Sequence, residues 1–257
     1  MLFMVCTVIV CLAMALILYM FIEAHQSRVV SLDIEVNGLS EAFEGYSIYF
    51  ISDIHRRVIS QNMLNSIDTP DIVVIGGDLT EAGVPFSRVA RNVQKLSTLG
   101  APLLFIWGNH DIFVERESLL AIFKQHQVIL LENDTYVVKR QGEFLNLVGL
   151  GDSTNDLDCL EAALEKTLPG VRILLSHNPN VQRKLRKRDQ IPLLISGHTH
   201  GGQIRLLGWG PREKGGVKER AFGTLIISNG YGTTSYPLRL GAKPDTLYLT
   251  LYRREET

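Results

Sequence analysis

The chain has 257 residues, 46% hydrophobic and 21% charged, which is enough apolar material for one sizeable core. Its 26 Lys and Arg against 27 Asp and Glu leave a net charge of −1, so no global electrostatic case exists for nucleic acid. Cys6, Cys11 and Cys159 are the 3 cysteines, which excludes a disulfide framework and a thiolate metal site.

Residues Met1 to Ile22 carry no charged side chain. At about 1.5 Å per residue this run predicts a helix about 33 Å long, enough to cross a hydrocarbon layer of about 30 Å. A cleaved secretory signal fits less well, because no Lys or Arg precedes the run and Ala13-Met14-Ala15 lies in its middle. The expected location is therefore a cell membrane, spanned once by residues 1–22. Arg28, the basic residue nearest the span, leans toward a cytoplasmic C-terminal side, and one residue leaves the side open.

Residues 23–45 read as a juxtamembrane link with a first strand at Leu32–Val36, and residues 46–257 as one catalytic domain. In that domain Ser47–Ser52, Ile72–Ile75, Leu103–Ile106, Leu145–Leu150, Ile173–Ser176, Leu193–Ser196 and Leu225–Ser228 are short apolar runs, expected to form buried strands. Val58–Ile67, Pro85–Leu99, Glu117–Gln125, Asn155–Leu168 and Val181–Arg188 read as helices between them, with the basic run Arg183–Arg188 as a solvated face. The alternation predicts α/β layers around a buried sheet, closed by a last strand at Thr246–Tyr252.

Polar motifs follow the apolar runs directly: Asp53-Ile54-His55, Gly77-Asp78, Gly108-Asn109-His110-Asp111, His177, and Gly197-His198-Thr199-His200-Gly201. They hold five of the 7 histidines. Ligands would thus collect at strand C-terminal ends, where α/β sheets bind. Asp53/His55 and His198/His200 are spaced i, i+2, which on extended backbone sends both side chains to one side. Hard and borderline metal ligands spread from Asp53 to His200 suit a two-metal hydrolase, not a local metal clip. Asp152, after Gly151, reads as a loop cap. His25, His126 and Trp107 read as structural, and Arg205, Arg239 and Tyr231 as structural or substrate-contacting.

In this order the five blocks resemble the calcineurin-like metallophosphoesterases over residues 46–252. Ser228-Asn229-Gly230-Tyr231-Gly232-Thr233-Thr234, with Pro237, Arg239 and Pro244, is similar to a bacterial membrane-associated branch acting on lipid-linked or nucleotide-sugar phosphoesters. Arg56 and Arg57 depart from the small residues many relatives carry there. The resemblance implies a layered αββα β-sandwich. It also implies one metal on Asp53, His55 and His200, a second on Asn109, His177 and His198, and Asp78 bridging them. Imidazole with carboxylate suits two divalent ions such as Mn, Fe or Zn. A metal-bridging hydroxide would attack phosphorus, with His110 assisting at the phosphoryl or leaving oxygen and Asp111 orienting its ring.

The preferred expectation is a membrane-anchored binuclear phosphoesterase acting on a small-molecule or lipid-linked phosphoester. A nuclease or cyclic-nucleotide phosphodiesterase is the alternative enzyme, disfavoured by the neutral charge. A catalytically silent metal-binding membrane adaptor is the non-enzyme alternative, opposed by the intact His110-Asp111 pair.

Overall fold

Period-two alternation inside fully buried strands decides the architecture. In β2 (Tyr46–Ile51) and β3 (Ile72–Ile75) every residue is buried. Ile48, Phe50, Ile72 and Val74 enter one apolar cluster, while Tyr49, Ile51, Val73 and Ile75 enter another. A strand buried on both faces needs a layer on each side.

The computed structural model, which describes residues 1–254, supplies those layers as two six-stranded sheets. The last three residues of the predicted catalytic domain lie outside the described residues. The first sheet adds β1 (Val29–Val36), β4 (Leu103–Phe105), β5 (Ile129–Leu130) and β12 (Thr246–Arg253), in the order β1-β12-β2-β3-β4-β5. The second holds β6 (Asp134–Arg140), β7 (Glu143–Gly149), β8 (Val171–Leu175), β9 (Leu193–Ser196), β10 (Gly216–Arg220) and β11 (Gly223–Ile227), ordered β10-β11-β9-β8-β7-β6. Strands β2 to β5 run parallel, as do β7, β8, β9 and β11, while β10 and β6 are antiparallel edges.

Between the sheets Ile48, Phe50, Val74 and Leu249 meet Leu147, Ile173, Leu193 and Ile226. Outside the first sheet lie α2 (Gln61–Leu64), α3 (Phe86–Ser97) and α4 (Arg116–Gln125), which bury Leu64, Val93, Leu96, Leu119 and Phe123 against it. α5 (Leu160–Leu164) covers the second sheet through Leu160 and Ala163. The layering is αββα, as the resemblance implies.

Three helices expected from sequence are shorter. Val58–Ile67 contributes only α2, because Ile59 N–H is bound by Asn92 Oδ1 (3.0 Å) and Ser60 caps the first turn. Asn155–Leu168 contributes only α5, its first part being held by Asp152. Val181–Arg188 is replaced by 3-10 turns at Pro179–Lys184 and Lys187–Asp189.

α1 (Leu2–Ala24) projects from the domain, and only its last turn is buried against it, through Met20, Glu23 and Ala24. Arg239 N–H donates to the Met20 carbonyl (3.0 Å). The Arg57 guanidinium donates to the carbonyls of Ala24 (3.3 Å), His25 (3.0 Å) and Gln26 (3.1 Å), and so satisfies carbonyls at the end of α1.

Candidate active site

Five loops converge where β2, β3 and β4 of one sheet end beside β8 and β9 of the other. Backbone bonds stitch them together. Asp53 N–H donates to Gly77 O (3.0 Å) and His55 N–H to Asp78 O (3.1 Å) within the first sheet. Gly197 N–H donates to His177 O (3.0 Å) within the second, and His198 N–H reaches the Asp53 carboxylate at 3.2 Å between sheets. Approach this close excludes side chains: a Cβ on Gly108 would lie 2.1 Å from Asp78 N, and one on Gly197 would lie 2.5 Å from Asp53 Oδ2.

The i, i+2 pairs converge, but not on extended backbone. Asp53 (φ 54°), His55 (50°), Asp78 (51°), His198 (68°) and His200 (50°) all occupy the left-handed region. Each chain leaves its strand in a tight turn, and the turn aims the side chains inward.

Asp53 Oδ1 lies 3.2 Å from His200 Nε2, whose partner across the gap is His55 Nε2, also at 3.2 Å. Asp78 Oδ2 stands 3.7 Å from His55 Nε2 and 3.2 Å from His177 Nε2, between two groups of donors. Asn109 Oδ1 and His198 Nδ1 meet at 2.8 Å, and the His177 and His198 rings are 5.2 Å apart. The sequence-predicted ligands Asp53, His55, Asp78, Asn109, His177, His198 and His200 therefore share one locality.

Two imidazoles are oriented from outside. The Gly76 carbonyl lies 2.8 Å from His177 Nδ1, which places the ring hydrogen there and leaves Nε2 buried without an aligned hydrogen-bond partner. Glu81 Oε2 sits 3.0 Å from His55 Nδ1, a close charge contact without hydrogen-bond alignment, while His55 Nε2 faces inward. Inward imidazole nitrogens beside two buried carboxylates, once His177 Nε2 gives up its proton, are the donor set a divalent cation needs. Asp53 with His55 and His200, and Asp53 with Asp78 and His177, each place three such atoms within 4.8 Å of one another.

Electrostatics follow the same division. Burial pushes the Asp53 and Asp78 carboxyls up, but neighbouring imidazoles outweigh it and hold both below the usual range. Burial likewise opposes the His177 charge, yet Asp78 and Asp53 raise it to about 10. His198 falls to about 4 and His200 to about 3, each chiefly through burial.

His110 is half-buried, its N–H donates to Asp78 Oδ1 (2.8 Å), and its ring stands edge-on to His55 at 5.0 Å. With Asp78, Asn109, His198, His200 and Arg212 it lines an open cavity of about 330 Å³. Asp111 corrects an expectation. It does not orient the His110 ring, because its two oxygens accept from Thr80 N–H and Gly108 N–H, both at 3.0 Å. It ties the loops after β3 and β4 together, and burial with Asp78 nearby raises it to about 7.

Arg239 is structural. It is fully buried and donates to the carbonyls of His200, Asn229, Gly230, Gly232 and Ala242. Tyr231 is buried under Arg57, whose guanidinium lies 3.8 Å from the ring centre, so Arg57 supports the end of α1. Arg205 Nη1 donates to the carbonyls of Gly201 (2.9 Å) and Arg212 (2.8 Å). Asp152 caps its loop through Thr154 N–H (2.9 Å). Sequence reasoning missed Glu81 and Arg212. Glu81, three residues after Asp78, was legible as an acidic neighbour of a motif. Arg212, whose Nη1 lies 2.9 Å from His198 Nε2, sits in a loop without any such signal.

The profile of the calcineurin-like phosphoesterases matches residues 46–202. YpbG of Bacillus subtilis is 43% identical over 210 residues, covering 80% of this chain and 80% of its own length. A protein of Escherichia coli named phosphodiesterase YaeI is 30% identical over 227 residues, covering 80% and 82%. The crystal structure of TT1561 from Thermus thermophilus shares the fold with a TM-score of 0.50 at 11% identity, covering 73% of this chain and 90% of that one.

Proposed function

The chain belongs to the calcineurin-like phosphoesterases, hydrolases of phosphoester bonds, and on that premise we propose that it cleaves a phosphodiester at a membrane surface with two divalent cations. Residues 1–22 form the anchor; residues 23–45, expected as a link, include β1 of the first sheet and so belong partly to the fold, and 46–257 hold every proposed ligand. Asp53, His55 and His200 would hold one cation, Asn109, His177 and His198 the other, with Asp78 shared. Such a pair, when bound, supplies an activated water and neutralises charge building on the phosphoryl oxygens.

The chain's own groups do the rest. The Gly76 carbonyl and the Glu81 carboxylate lie against Nδ1 of His177 and His55 and favour ring orientations with Nε2 inward. Asn109 is a neutral oxygen donor and leaves the centre net positive toward an anionic phosphate. His110, half-buried at the cavity wall, is placed to protonate the leaving oxygen. Arg212 adds a guanidinium charge at the mouth, beyond those of the two divalent cations. A lipid-linked substrate suits an anchored enzyme, because tethering raises the effective concentration of bilayer-embedded phosphoesters.

The observation that carries this reading is Asp78 Oδ2 standing between His55 and His177. Its test uses the full chain in lipid nanodiscs, stripped by chelation and reloaded with Mn²⁺, Zn²⁺ or Fe²⁺. The expected result is two bound cations per chain and metal-dependent cleavage of diesters, measured on soluble and vesicle-embedded phosphoesters, cyclic nucleotides and single-stranded nucleic acid. Hydrolysis indifferent to metal, or confined to nucleic acid, would overturn it.

A further inference from the structure

The cavity wall carries an apolar outcrop that the chemistry does not use. Leu206 and Trp209 pair in a two-residue hairpin (Leu206 N to Trp209 O and Trp209 N to Leu206 O, both 2.9 Å) with Leu207 and Gly208 at its tip. Leu207 is 100% exposed at φ 51°, Trp209 is 76% exposed, and nearby Tyr236 is 73% exposed. A left-handed tip position favours Asn, Asp or Gly, and a bulky leucine there gains nothing from the fold. The outcrop is nonetheless held in place: Arg205 Nη2 donates to Gly208 O (2.8 Å) at the tip, and Gln203 Nε2 ties the Tyr236 segment through Thr234 O (2.9 Å) and Tyr236 O (3.0 Å). Large apolar side chains held outward this firmly need a partner outside the chain.

Continuity with the anchor identifies that partner. Arg205 N–H donates to Leu240 O (2.7 Å), and adjoining Arg239 N–H donates to Met20 O inside the charge-free run of α1. The charge-free run ends at Ile22 and Glu23 is the first charged residue, so Met20 lies within one turn of the polar end of the span. The domain therefore touches α1 at headgroup depth, and the hairpin emerges from that contact. Trp and Tyr favour this depth, and exposed Lys214 suits anionic headgroups, its neighbour Glu213 being paired with Arg220.

We propose that the Leu206–Trp209 hairpin, with Tyr236, is a second membrane contact that enters the bilayer interface beside α1 and holds the cavity mouth against the headgroup layer. Gln203, Ile204, Pro211 and Arg212, at the two roots of the hairpin, line the cavity, so the contact sets the orientation in which substrate enters. The proposal rests on α1 being a membrane anchor, and its test reads that separately.

The full chain is reconstituted in phosphatidylglycerol–phosphatidylethanolamine vesicles with acyl chains brominated near the headgroup. The chain has 2 tryptophans and Trp107 is buried, so the fluorescence difference between it and Trp209→Phe isolates Trp209. The expected result is flotation with the vesicles, bromolipid quenching of Trp209 and shielding from aqueous iodide. A floating chain whose Trp209 stays open to iodide overturns the contact and leaves the anchor standing. Shielding without bromolipid quenching assigns the patch to protein, such as a second copy, and also overturns it. A chain that does not float removes both readings. Leu207→Asn, which suits the left-handed position better than leucine, should keep the thermal midpoint and the rate on a soluble diester. Its rate on a bilayer-embedded phosphoester should fall about tenfold, and an unchanged ratio of the two rates also overturns the proposal.

Discussion

Asp53, His55, Asp78, His198 and His200 each accept a left-handed backbone that costs a non-glycine residue about 1–2 kcal/mol, so their strain is concentrated where donor atoms must converge. Two adjacent residues then divide the labour. His110→Ala removes no proposed ligand and should keep metal content by elemental analysis while kcat falls about 10²-fold or more; stoichiometric metal loss would make His110 a ligand. Asp111→Ala leaves two buried N–H groups without their carboxylate and should lower unfolding free energy by about 3 kcal/mol in urea; unchanged stability would return Asp111 to a catalytic role. His177 carries a pH prediction. In the metal-free protein its value is raised to about 10, so its pairing with Asp78 stabilises fully below pH 6.5 and is lost as pH rises through about 10. A cation needs Nε2 deprotonated, so binding at pH 7 should release a proton, seen as a buffer-dependent binding enthalpy. The motif residues were legible because His, Asp and Asn after apolar runs are conspicuous in a sequence. Left-handed turns at Asp53 and Asp78, and the attachment of Asp111 to Thr80, were not, because they depend on which strands become neighbours.

Among the elements, the interior strands were the readable ones. β3 and β9 match their expected residues, since four apolar residues in β3, and three before Ser196 in β9, all buried, leave little choice. The three strands the sequence did not disclose, β5, β6 and β10, are all sheet edges. An edge is partly solvated and needs few apolar residues, so its pattern blends with a loop. α1 was legible from composition, but its attachment was not: Arg57 and Arg239 lie far away in sequence. Arg57 is half the attachment, donating to three consecutive carbonyls at the helix end while stacking on Tyr231. Arg57→Ala should therefore speed amide hydrogen exchange through residues 24–28, with the strands β2 and β3 still protected. Equal exchange in the variant and the parent would mean that Arg239 and the buried last turn hold α1 without it.

At the scale of the whole molecule, the first and last strands pair in the first sheet, while α1 stands apart from it, and the two N-terminal elements differ sharply in what they support. β1 lies on β12 in parallel register from Val29↔Thr246 to Val36↔Arg253, and Ile34 and Val36 enter the layer between the sheets with Leu247, Leu249 and Leu251. α1 contributes only Met20, Glu23 and Ala24 to the buried set. The site itself is built at strand ends from β2 to β9, so neither terminus supplies a proposed ligand. These facts predict opposite outcomes for two shortened chains. One starting at Gln26 keeps β1, loses the Met20–Arg239 bond and some Arg57 contacts, and should fold with a slightly lower thermal midpoint. Its kcat on a soluble diester should stay within about twofold, because the constellation that determines kcat is untouched, and its preference for bilayer-embedded substrate should vanish with the anchor. One starting at Asn37 exposes β12 as an unpaired edge and strips two fully buried side chains from the central layer, at about 2–5 kcal/mol each in large-to-small comparisons. That sum rivals the roughly 5–15 kcal/mol stability of a whole domain, so this chain should aggregate or melt without cooperativity in circular dichroism. A cooperative transition for the chain starting at Asn37 would show that β2 to β12 form a sufficient core and that β1 is an accessory of the anchor.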